Sequence, residues 1–456
     1  MTGFRRYPDY RDPGVEWLAE IPAHWEMVEL RRVAPARPAD AVTRRHNRSV
    51  WQLDLEHIAA DTGRVRAKHS APMAEIGGST VWFDESHVLY SKLRPYLNKV
   101  VLPDESGIAT SELIPLSPNP DAVNRSFLAY HLLSPGFVAY ASRHVSGTKM
   151  PRVIPTFFWS HTVPLPPLPE QRAIANFLDR RTSRIDRLVQ KKERLIELLS
   201  EKRASLISHA VTRGLDPDVP MMDPGVEWGG EIPAHWGMVE LKRLAPAQPA
   251  DALTGRHNGS IWQLDLEHIA ADTGRVRTKH RAPVSEIGGS TVWFDESKVL
   301  YSKLRPYLNK VVVPDESGIA TSELIPLSPN PDAVNRLFLA YYLLSPGFVA
   351  YASRHVSGTK MPRVIPTFFW NHTVPLPPLA EQRAIADFLD RKTGQIEALV
   401  AKTRNAIDRL REYRSSVISA AVTGQIDVRD PSPTAVTLPR HSGWPEATSA
   451  RIMPDM

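Results

Sequence analysis

The chain has 456 residues, 42% of them hydrophobic, a length that predicts at least two domains with cores of their own. It contains no cysteine, which excludes disulfides, thiolate metal sites and cysteine nucleophiles and suits a reducing compartment. The formal net charge of +6 is compatible with a nucleic-acid partner. Because no signal peptide and no apolar run of roughly 18 residues is present, we expect a soluble, cytoplasmic protein that does not associate with a membrane.

Two copies of one sequence make up most of the chain. The segments EIPAHW, WQLDLEHIAADTGRVR, YSKLRPYLNKVV and VSGTKMPRVIPTFFW each occur twice, at a constant offset of 211 residues. A repeat of this length is a whole domain and not one turn of a solenoid. Ten of the 11 tryptophans form pairs at the same offset, so both copies are expected to bury the same aromatic core.

The first part of each copy is predicted to be an α+β domain, residues 1–167 and 224–378. The runs TVWFDESHVLYSKL, YLNKVVLP and HTVPLPPL have the β-branched and aromatic content of strands, and LEHI is expected at a strand edge. Residues 124–142 have the apolar spacing of one helix. A stiff, proline-rich PLPPL segment then ends the domain.

A long helix is predicted after each domain, over residues 168–214 and 379–425, with a linker at 215–223. Two heptad seams in one chain favour a coiled coil between the two helices over the alternative that each helix packs on its own domain. Residues 426–456 are rich in Pro and Ser and are expected to be disordered. The predicted seam positions are Ile174, Leu178, Arg181, Ile185, Leu188, Lys192, Leu195, Leu199, Lys202 and Leu206, and then Ile385, Leu389, Lys392, Ile396, Leu399, Thr403, Ala406, Leu410, Tyr413 and Val417.

Motifs of catalysis are missing from the sequence. It has no GxxxxGK[ST] phosphate loop, no GxGxxG, no HExxH and no NPPY-type motif of adenine methyltransferases. His57 and His268, in the two LEHI segments, are the histidines nearest to acidic residues, and we expect a structural role for them instead of metal binding. The sequence therefore predicts no catalytic residue, no metal and no cofactor.

Basic residues interleaved with aromatic ones predict DNA contacts in two loops of each copy. SKLRPYLNK places cations around a proline that fixes the loop, and SGTKMPR combines a glycine, a hydroxyl and two cations. Arg152 and Arg363 are the favoured base readers, because arginine bonds guanine through two N–H groups. The alternative is that these side chains only cover apolar surface with their stems. The candidates are Lys92, Arg94, Lys99, Lys149 and Arg152 in the first copy and Lys303, Arg305, Lys310, Lys360 and Arg363 in the second.

With these features the chain resembles the DNA-specificity (S) subunits of type I restriction-modification systems. The EIPAHW opening, the SKLRPYLNK and GTKMPR segments, and PLPPLPEQRAIANFLD leading into a long helix carry the resemblance, and all occur twice in order. The resemblance implies two target recognition domains joined by two antiparallel helices, each domain reading half of a bipartite site on double-stranded DNA. It implies no catalysis by the subunit itself. The implied partners are modification subunits, expected to be two, which supply S-adenosylmethionine chemistry, and restriction subunits, which supply ATP-driven translocation and cleavage.

The near-identity of the two copies departs from the usual family pattern of two dissimilar recognition domains. It predicts that both domains read the same bases, so that the target is an interrupted palindrome. Two other functions stay open: an enzyme that modifies or cleaves DNA by itself, and a coiled-coil scaffold that binds no nucleic acid. The differences that alter charge are expected to lie on loops and to tune phosphate contacts: Arg37/Gln248, Arg44/Gly255, Arg48/Gly259, Ser70/Arg281 and His87/Lys298.

Overall fold

The computed structural model describes residues 4–15, 17–39, 49–72, 76, 78–226, 230–249, 260–283 and 290–429. The chain divides into two compact units, the first formed by residues 1–190 with 407–456 and the second by residues 191–406. Each unit contains one α+β domain, called a head below, and a segment of each long helix. The tail that was expected to be disordered lies outside the described residues from position 430 onward.

Small sheets form the β-structure of the first head. One sheet has the strand order β5-β4-β9-β6, with β4 and β9 parallel and the outer pairs antiparallel. A second, antiparallel sheet has the order β10-β7-β8, and β13 pairs with β3. The strands are β1 Tyr10–Arg11, β2 Ile21–Pro22, β3 Glu26–Glu29, β4 Ser49–Leu53, β5 His69–Pro72, β6 Thr80–Phe83, β7 Val88–Ser91, β8 Val100–Val101, β9 Gly107–Thr110, β10 Leu113–Leu116, β11 Val145–Ser146, β12 Arg152–Val153 and β13 Thr162–Leu165.

The second head repeats this topology. Its four-stranded sheet has the order β18-β17-β22-β19, its three-stranded sheet the order β21-β20-β23, and β16 pairs with β26. With its helices, this arrangement confirms the predicted α+β class for both copies. The strands are β14 Met221–Met222, β15 Ile232–Pro233, β16 Gly237–Glu240, β17 Ser260–Leu264, β18 His280–Pro283, β19 Thr291–Phe294, β20 Val299–Ser302, β21 Val311–Val312, β22 Gly318–Thr321, β23 Leu324–Leu327, β24 Val356–Ser357, β25 Arg363–Val364 and β26 Thr373–Leu376.

Equivalent tryptophans occupy the cores of the two heads. Trp25 and Trp51 are 1% and 4% exposed in the first head, and Trp236 and Trp262 are 3% and 1% exposed in the second. Trp51 meets Phe83 edge to face with ring centroids 5.1 Å apart, an arrangement that aromatic pairs favour. The expectation of a shared aromatic core is therefore confirmed for these two pairs.

The helices within each head are shorter than predicted. Residues 124–142, predicted as one helix, form parts of two, because Pro135 lacks a backbone N–H and begins a new helix. Ser134 caps that second helix, since its hydroxyl accepts from the N–H of Phe137. The helices are α1 Leu30–Val33, α2 Arg125–Leu133, α3 Pro135–Arg143 and α4 Pro155–Ser160 in the first head, and α6 Leu241–Leu244, α7 Arg336–Leu344, α8 Pro346–Arg354 and α9 Pro366–Asn371 in the second.

The two long helices are confirmed as α5, Leu168–Arg213, and α10, Leu379–Val422. In the first unit the beginning of α5 and the end of α10 share one hydrophobic core, which includes Ile174 and Val422. Twelve residues further along α5, Asp186 bonds to an earlier residue of α10, Arg414. The two segments therefore run antiparallel within this unit. In the second unit the end of α5 and the beginning of α10 likewise share a core.

The predicted heptad register holds at the buried Ile174 and Ile385 but is wrong at every second position through the middle of both helices. Leu188 and Leu195, predicted in the seam, are 40% and 39% exposed, and Leu399 is 43% exposed. The buried or half-buried side chains fall one residue later in the sequence. The prediction followed the apolar residues, but several of the inward positions hold polar side chains. Hydrogen bonds of these side chains offset the cost of their burial. These positions are Thr182, Val189, Ile196 and Arg203 in α5 and Thr393, Val400, Ile407 and Arg414 in α10.

A buried arginine fastens each head to the long helices. Arg414, which is 6% exposed, donates from Nε to Asp186 at 3.0 Å and from Nη1 to the carbonyl of Asp61 in the head at 2.7 Å. In the second unit the equivalent pair is Arg203 and Glu397, with α5 now supplying the arginine. In each unit, a buried arginine of one long helix thus links the two helices and the head.

Candidate nucleic-acid interface

Two loops that were predicted separately to contact DNA lie together in the first head. Residues 92–99 follow β7, and residues 147–151 form the tip of the β11–β12 hairpin. The N–H of Arg94 donates to the carbonyl of Pro151 at 2.7 Å, and the N–H of Val153 donates to the carbonyl of Lys92 at 2.9 Å. We call the side chains at this junction the basic surface; they are Lys92, Arg94, Tyr96, Lys149 and Met150 in the first head and Lys303, Arg305, Tyr307, Lys360 and Met361 in the second.

The second head builds its basic surface with the same bonds. The N–H of Arg305 donates to the carbonyl of Pro362 at 2.7 Å, and the N–H of Val364 donates to Lys303 at 2.9 Å. Backbone hydrogen bonds of this kind fix the two loops against each other in each head. The surface is therefore preorganised and does not depend on side-chain contacts for its shape.

The loop after β7 has an unusual backbone. Arg94 and Asn98 flank a single 3-10 turn with φ of 49° and 48°, in the left-handed region that costs an ordinary residue about 1–2 kcal/mol. The side-chain amide of Asn98 donates to Asp61 at 3.1 Å, which helps to hold this end of the turn. Between them, Tyr96 is 55% exposed.

The hairpin tip is tight because of a glycine. Gly147 has φ 87°, and a Cβ atom at this position would lie 3.3 Å from the carbonyl oxygen of Met150. The tip leaves Lys149 exposed and Met150 47% exposed. Both side chains are therefore available to a partner.

Arg152, the favoured base reader, is held in an ion pair. Its Nε and Nη2 donate to the two carboxylate oxygens of Glu112 at 3.0 and 2.7 Å, and the guanidinium lowers the pKa of that carboxyl. Arg363 and Glu323 repeat the pair in the second head. A bidentate contact to guanine would have to break these bonds. Sequence alone does not single out Glu112, which lies 40 residues away from its partner.

Lys99 and Lys310 are turned toward the protein. The Nζ atom of Lys99 donates to the carbonyl of Leu55 at 2.6 Å, and that of Lys310 donates to Leu266 at 2.5 Å. Partial burial lowers the pKa of both amines. Tyr90, which alternates with the cations in the sequence, is 2% exposed and belongs to the core. The cations that remain at the junction in the first head are thus those of the basic surface.

Comparison with known proteins identifies the family. The family model described as "Type I restriction modification DNA specificity domain" matches residues 80–198 and 292–409, more than half of the chain and once in each copy. The chain belongs to this family. It is a DNA-specificity subunit of the type I restriction-modification class and is not itself catalytic.

Known specificity subunits match most of the chain. The type I restriction enzyme MjaVIII specificity subunit of Methanocaldococcus jannaschii is 23% identical over 426 residues, which cover 90% of this chain and 95% of that protein. The EcoDI specificity subunit of Escherichia coli is 22% identical, covering 67% and 71%. A solved structure described as "Structural basis underlying complex assembly and conformational transition of the type I R-M system" has a TM-score of 0.66 at 18% identity and covers 89% and 99%. This last likeness supports the fold.

The histidines of the LEHI segments serve as caps in this specificity subunit. Residues 55–57 form a 3-10 turn after β4, so the expectation of a strand edge is wrong. The Nδ1 atom of His57 accepts from the N–H of Asp54 at 3.2 Å, and His268 and Asp265 repeat the bond. Over the described ranges no group of three or more acidic or histidine side chains is placed to hold a metal ion. Among the helices described, none is long and apolar enough to cross a bilayer.

The charge differences between the two heads are not all on exposed loops. His87 and Lys298 are only 4% and 7% exposed, so the expectation that this pair tunes phosphate contacts is wrong. Ser70 and Arg281 lie on the edge strands β5 and β18, where Arg281 pairs with Glu316 at 2.5 Å. Arg37 and Gln248 are exposed, and positions 44, 48, 255 and 259 lie outside the described residues.

Proposed function

We propose that each head reads one half of a bipartite site on double-stranded DNA with its basic surface. The observation that carries the proposal is the joining of two cationic loops, 55 residues apart in sequence, by backbone hydrogen bonds in both heads. Within the described part of the chain, Arg94 and Lys149 are in no ion pair, and Lys92 makes no close ion pair although its charge helps to lower the pKa of the Glu112 carboxyl. Cations without carboxylate partners bind DNA phosphates by releasing the counterions of the duplex.

The two kinds of cation have different proposed roles. Lys92 and Lys149 contact phosphates, because an ammonium is a point charge without directional pairing to one base. Arg94 is the better candidate for a guanine edge, since its exposed guanidinium makes only a long bond of 3.5 Å to a backbone carbonyl. Arg152 and Lys99 then act as positioning residues that hold the loops in place. This assignment exchanges the roles that the sequence favoured for Arg152 and Arg94.

Salt dependence of binding tests these roles in the complete complex. The Lys149→Ala, Lys360→Ala double variant removes one phosphate contact from each head and should flatten the plot of log K against log salt by about 0.9 per contact. The Arg94→Ala, Arg305→Ala variant should lose about 1–3 kcal/mol of discrimination per base pair at one position of each half-site. Lys68→Ala is the matched control, because this lysine already pairs with two carboxylates. Unchanged affinity and slope in the first variant contradict the proposal.

We propose further that the target is an interrupted palindrome. The heads carry identical residues at all five positions of the basic surface, so they present the same groups to the two half-sites. The antiparallel course of the helix segments within the first unit fits a design in which equal readers meet opposite strands. With half-site centres about one helical turn apart, the unread spacer is on the order of 5 to 8 base pairs. Two unrelated half-sites in the methylated motif contradict this proposal.

The modification subunits, which we propose to be two, bind along the long helices and not on the heads, and restriction subunits join this complex. Exposed leucines on the helices support this: Leu188 in the first unit, and Leu195, Leu198 and Leu399 in the second. Large apolar side chains on a charged helix are typical of a surface that another subunit covers. The EcoDI and MjaVIII relatives are specificity subunits of type I restriction enzymes, which agrees with a role inside such a complex.

Charged substitution of these leucines tests where the partners bind. Leu188→Asp and Leu195→Asp should leave the isolated chain folded, because both side chains are about 40% exposed. The same variants should fail to capture the modification subunit in a co-purification. Glu201→Lys, an exposed change of charge on α5, is the control and should still capture it. Normal complex formation by both leucine variants contradicts the proposed site.

A further inference from the structure

The basic surface carries two apolar side chains that the proposed phosphate and guanine contacts do not use. Tyr96 and Met150 are 55% and 47% exposed, and their equivalents Tyr307 and Met361 are 55% and 48% exposed. A single exposed apolar residue is ordinary on a protein surface. These two stand on bonded loops beside Arg94 and Lys149, which form no ion pair within the described residues, and they recur in the second head. Their placement therefore calls for a common explanation.

The protein holds the tyrosine outward at a cost in backbone strain. Arg94 enters the turn at φ 49°, and Arg305 does so at 48°. An arginine side chain does not stabilise this conformation locally, in contrast to the short polar side chain of Asn98. The bond from the N–H of Arg94 to Pro151 of the hairpin holds the strained residue in place. Strain that the surrounding structure maintains is a mark of functional positions.

The chemistry of the two side chains fits the stacked bases of DNA. An aromatic ring stacks on the face of any base, and methionine is among the apolar side chains that proteins insert between base steps. Cations on the same loops can hold the phosphates that flank such a step. A protein partner would find these apolar groups surrounded by unpaired positive charge, which is costly to bury. The surroundings therefore favour a polyanion with apolar faces, which is DNA.

We propose that Tyr96 and Met150 insert against a base step of the bound duplex and partly unstack it, as Tyr307 and Met361 do in the other half-site. Each head then reads the deformability of its half-site in addition to base edges, and it prefers the easily unstacked pyrimidine–purine steps. This inference rests on the proposed function, because it requires the basic surface to face DNA. It concerns how the duplex is deformed and not whether it is bound.

Base unstacking is measured with 2-aminopurine, whose fluorescence rises when it leaves the stack. The full chain, in complex with its modification subunits, is titrated onto duplexes that carry the probe at successive positions of each half-site. The wild-type complex should raise the fluorescence several-fold at one step in each half-site. The variant that combines Tyr96→Ala and Met150→Ala with Tyr307→Ala and Met361→Ala should lose this signal in both half-sites, and its preference for the specific site over random DNA should fall at least ten-fold.

Two further variants separate insertion from simple attraction. Tyr96→Phe keeps the ring and should keep the signal, whereas Lys149→Ala should weaken binding but keep the signal at saturation. If the signal persists with unchanged affinity in the variant that has alanine at all four positions, the inference is wrong while the proposed function stands. Normal DNA binding with loss of the modification subunits would instead make this a protein-docking surface. Failure of the wild-type complex to prefer any site would refute the proposed function itself.

Discussion

Replacing Arg414 with methionine should destabilise the first unit by an amount that the structure allows us to estimate. Arg414 is 6% exposed, donates to Asp186 at 3.0 Å and donates to the carbonyls of Asp61 and Thr62 at 2.7 and 3.4 Å. Methionine preserves most of the apolar stem and removes all of these donors. The change therefore isolates the polar connection between the head and the helix.

The expected loss combines two effects. Removing one partner of a buried ion pair typically costs about 3–5 kcal/mol, because the other charge is left buried. Arg64 stays 3.0 Å from Asp186 and continues to compensate its charge, so we expect a value near the lower end, about 3 kcal/mol. Arg64→Met is the comparison variant. Its side chain is 40% exposed, and its removal should cost no more than about 1 kcal/mol.

Urea denaturation followed by tryptophan fluorescence measures both free energies of unfolding. The buried Trp25 and Trp51 report on the core of the first head, and the buried Trp236 and Trp262 supply the signal of the second head, which both variants leave unchanged. A loss below about 1 kcal/mol for Arg414→Met, or an equal loss for the two variants, would refute the view that the buried arginine fastens the head to the helix. In the Arg414→Met variant, the backbone amides around residues 61 and 62 should exchange hydrogen faster than they do in the wild type.

Three other predictions follow from burial. Burial lowers the pKa of His131 to about 3 and that of His161 well below its usual value. Both side chains are therefore neutral in the folded chain and bind a proton in the unfolded chain below pH about 6.5. The free energy of unfolding is highest above that pH, and each histidine lowers it by about 1.4 kcal/mol per pH unit as the pH falls further. His131→Tyr, which introduces the residue of the second copy, should remove the contribution of His131, about 1.4 kcal/mol per pH unit, from this slope in acid titrations of the free energy of unfolding. Leu188→Asp should change that free energy by less than about 0.5 kcal/mol, whereas Ile185→Asp, at a 5% exposed position, should cost several kcal/mol in urea. Lys99→Met should cost about 1–3 kcal/mol and leave the salt dependence of DNA binding unchanged, and a flatter slope would show that this amine contacts phosphate after all.

The sequence predicts the repeated architecture well because repetition and apolar content are local properties. The two α+β copies, the long helices and the break before them all follow from offsets, proline and periodicity. The helix register does not, because Leu188 is a stronger apolar signal than Thr182 or Arg203. Those polar side chains can be buried because groups far away in the sequence form hydrogen bonds with them. The sequence of the helix alone does not reveal these partners.

The candidate site shows the same limit of local patterns. Composition alone points to both cationic loops, and the structure places them together. Composition does not reveal that Arg152 is paired with Glu112 or that Lys99 bonds a backbone carbonyl, since both partners come from distant segments. It also treats Tyr90 and Tyr96 alike, although one lies on a buried strand and the other on an exposed turn. Long-range partners decide which of several similar residues is free to act.

Mapping of methylated adenines in the source genome, with and without this gene, tests the central claim most directly. If the chain specifies the target of a type I complex, one interrupted motif with identical inverted halves should be methylated and should lose its methylation when the gene is deleted. Restoring the wild-type gene should restore the motif, and restoring the Arg94→Ala, Arg305→Ala variant should relax it at one position of each half. An unchanged methylation pattern after deletion would contradict the account.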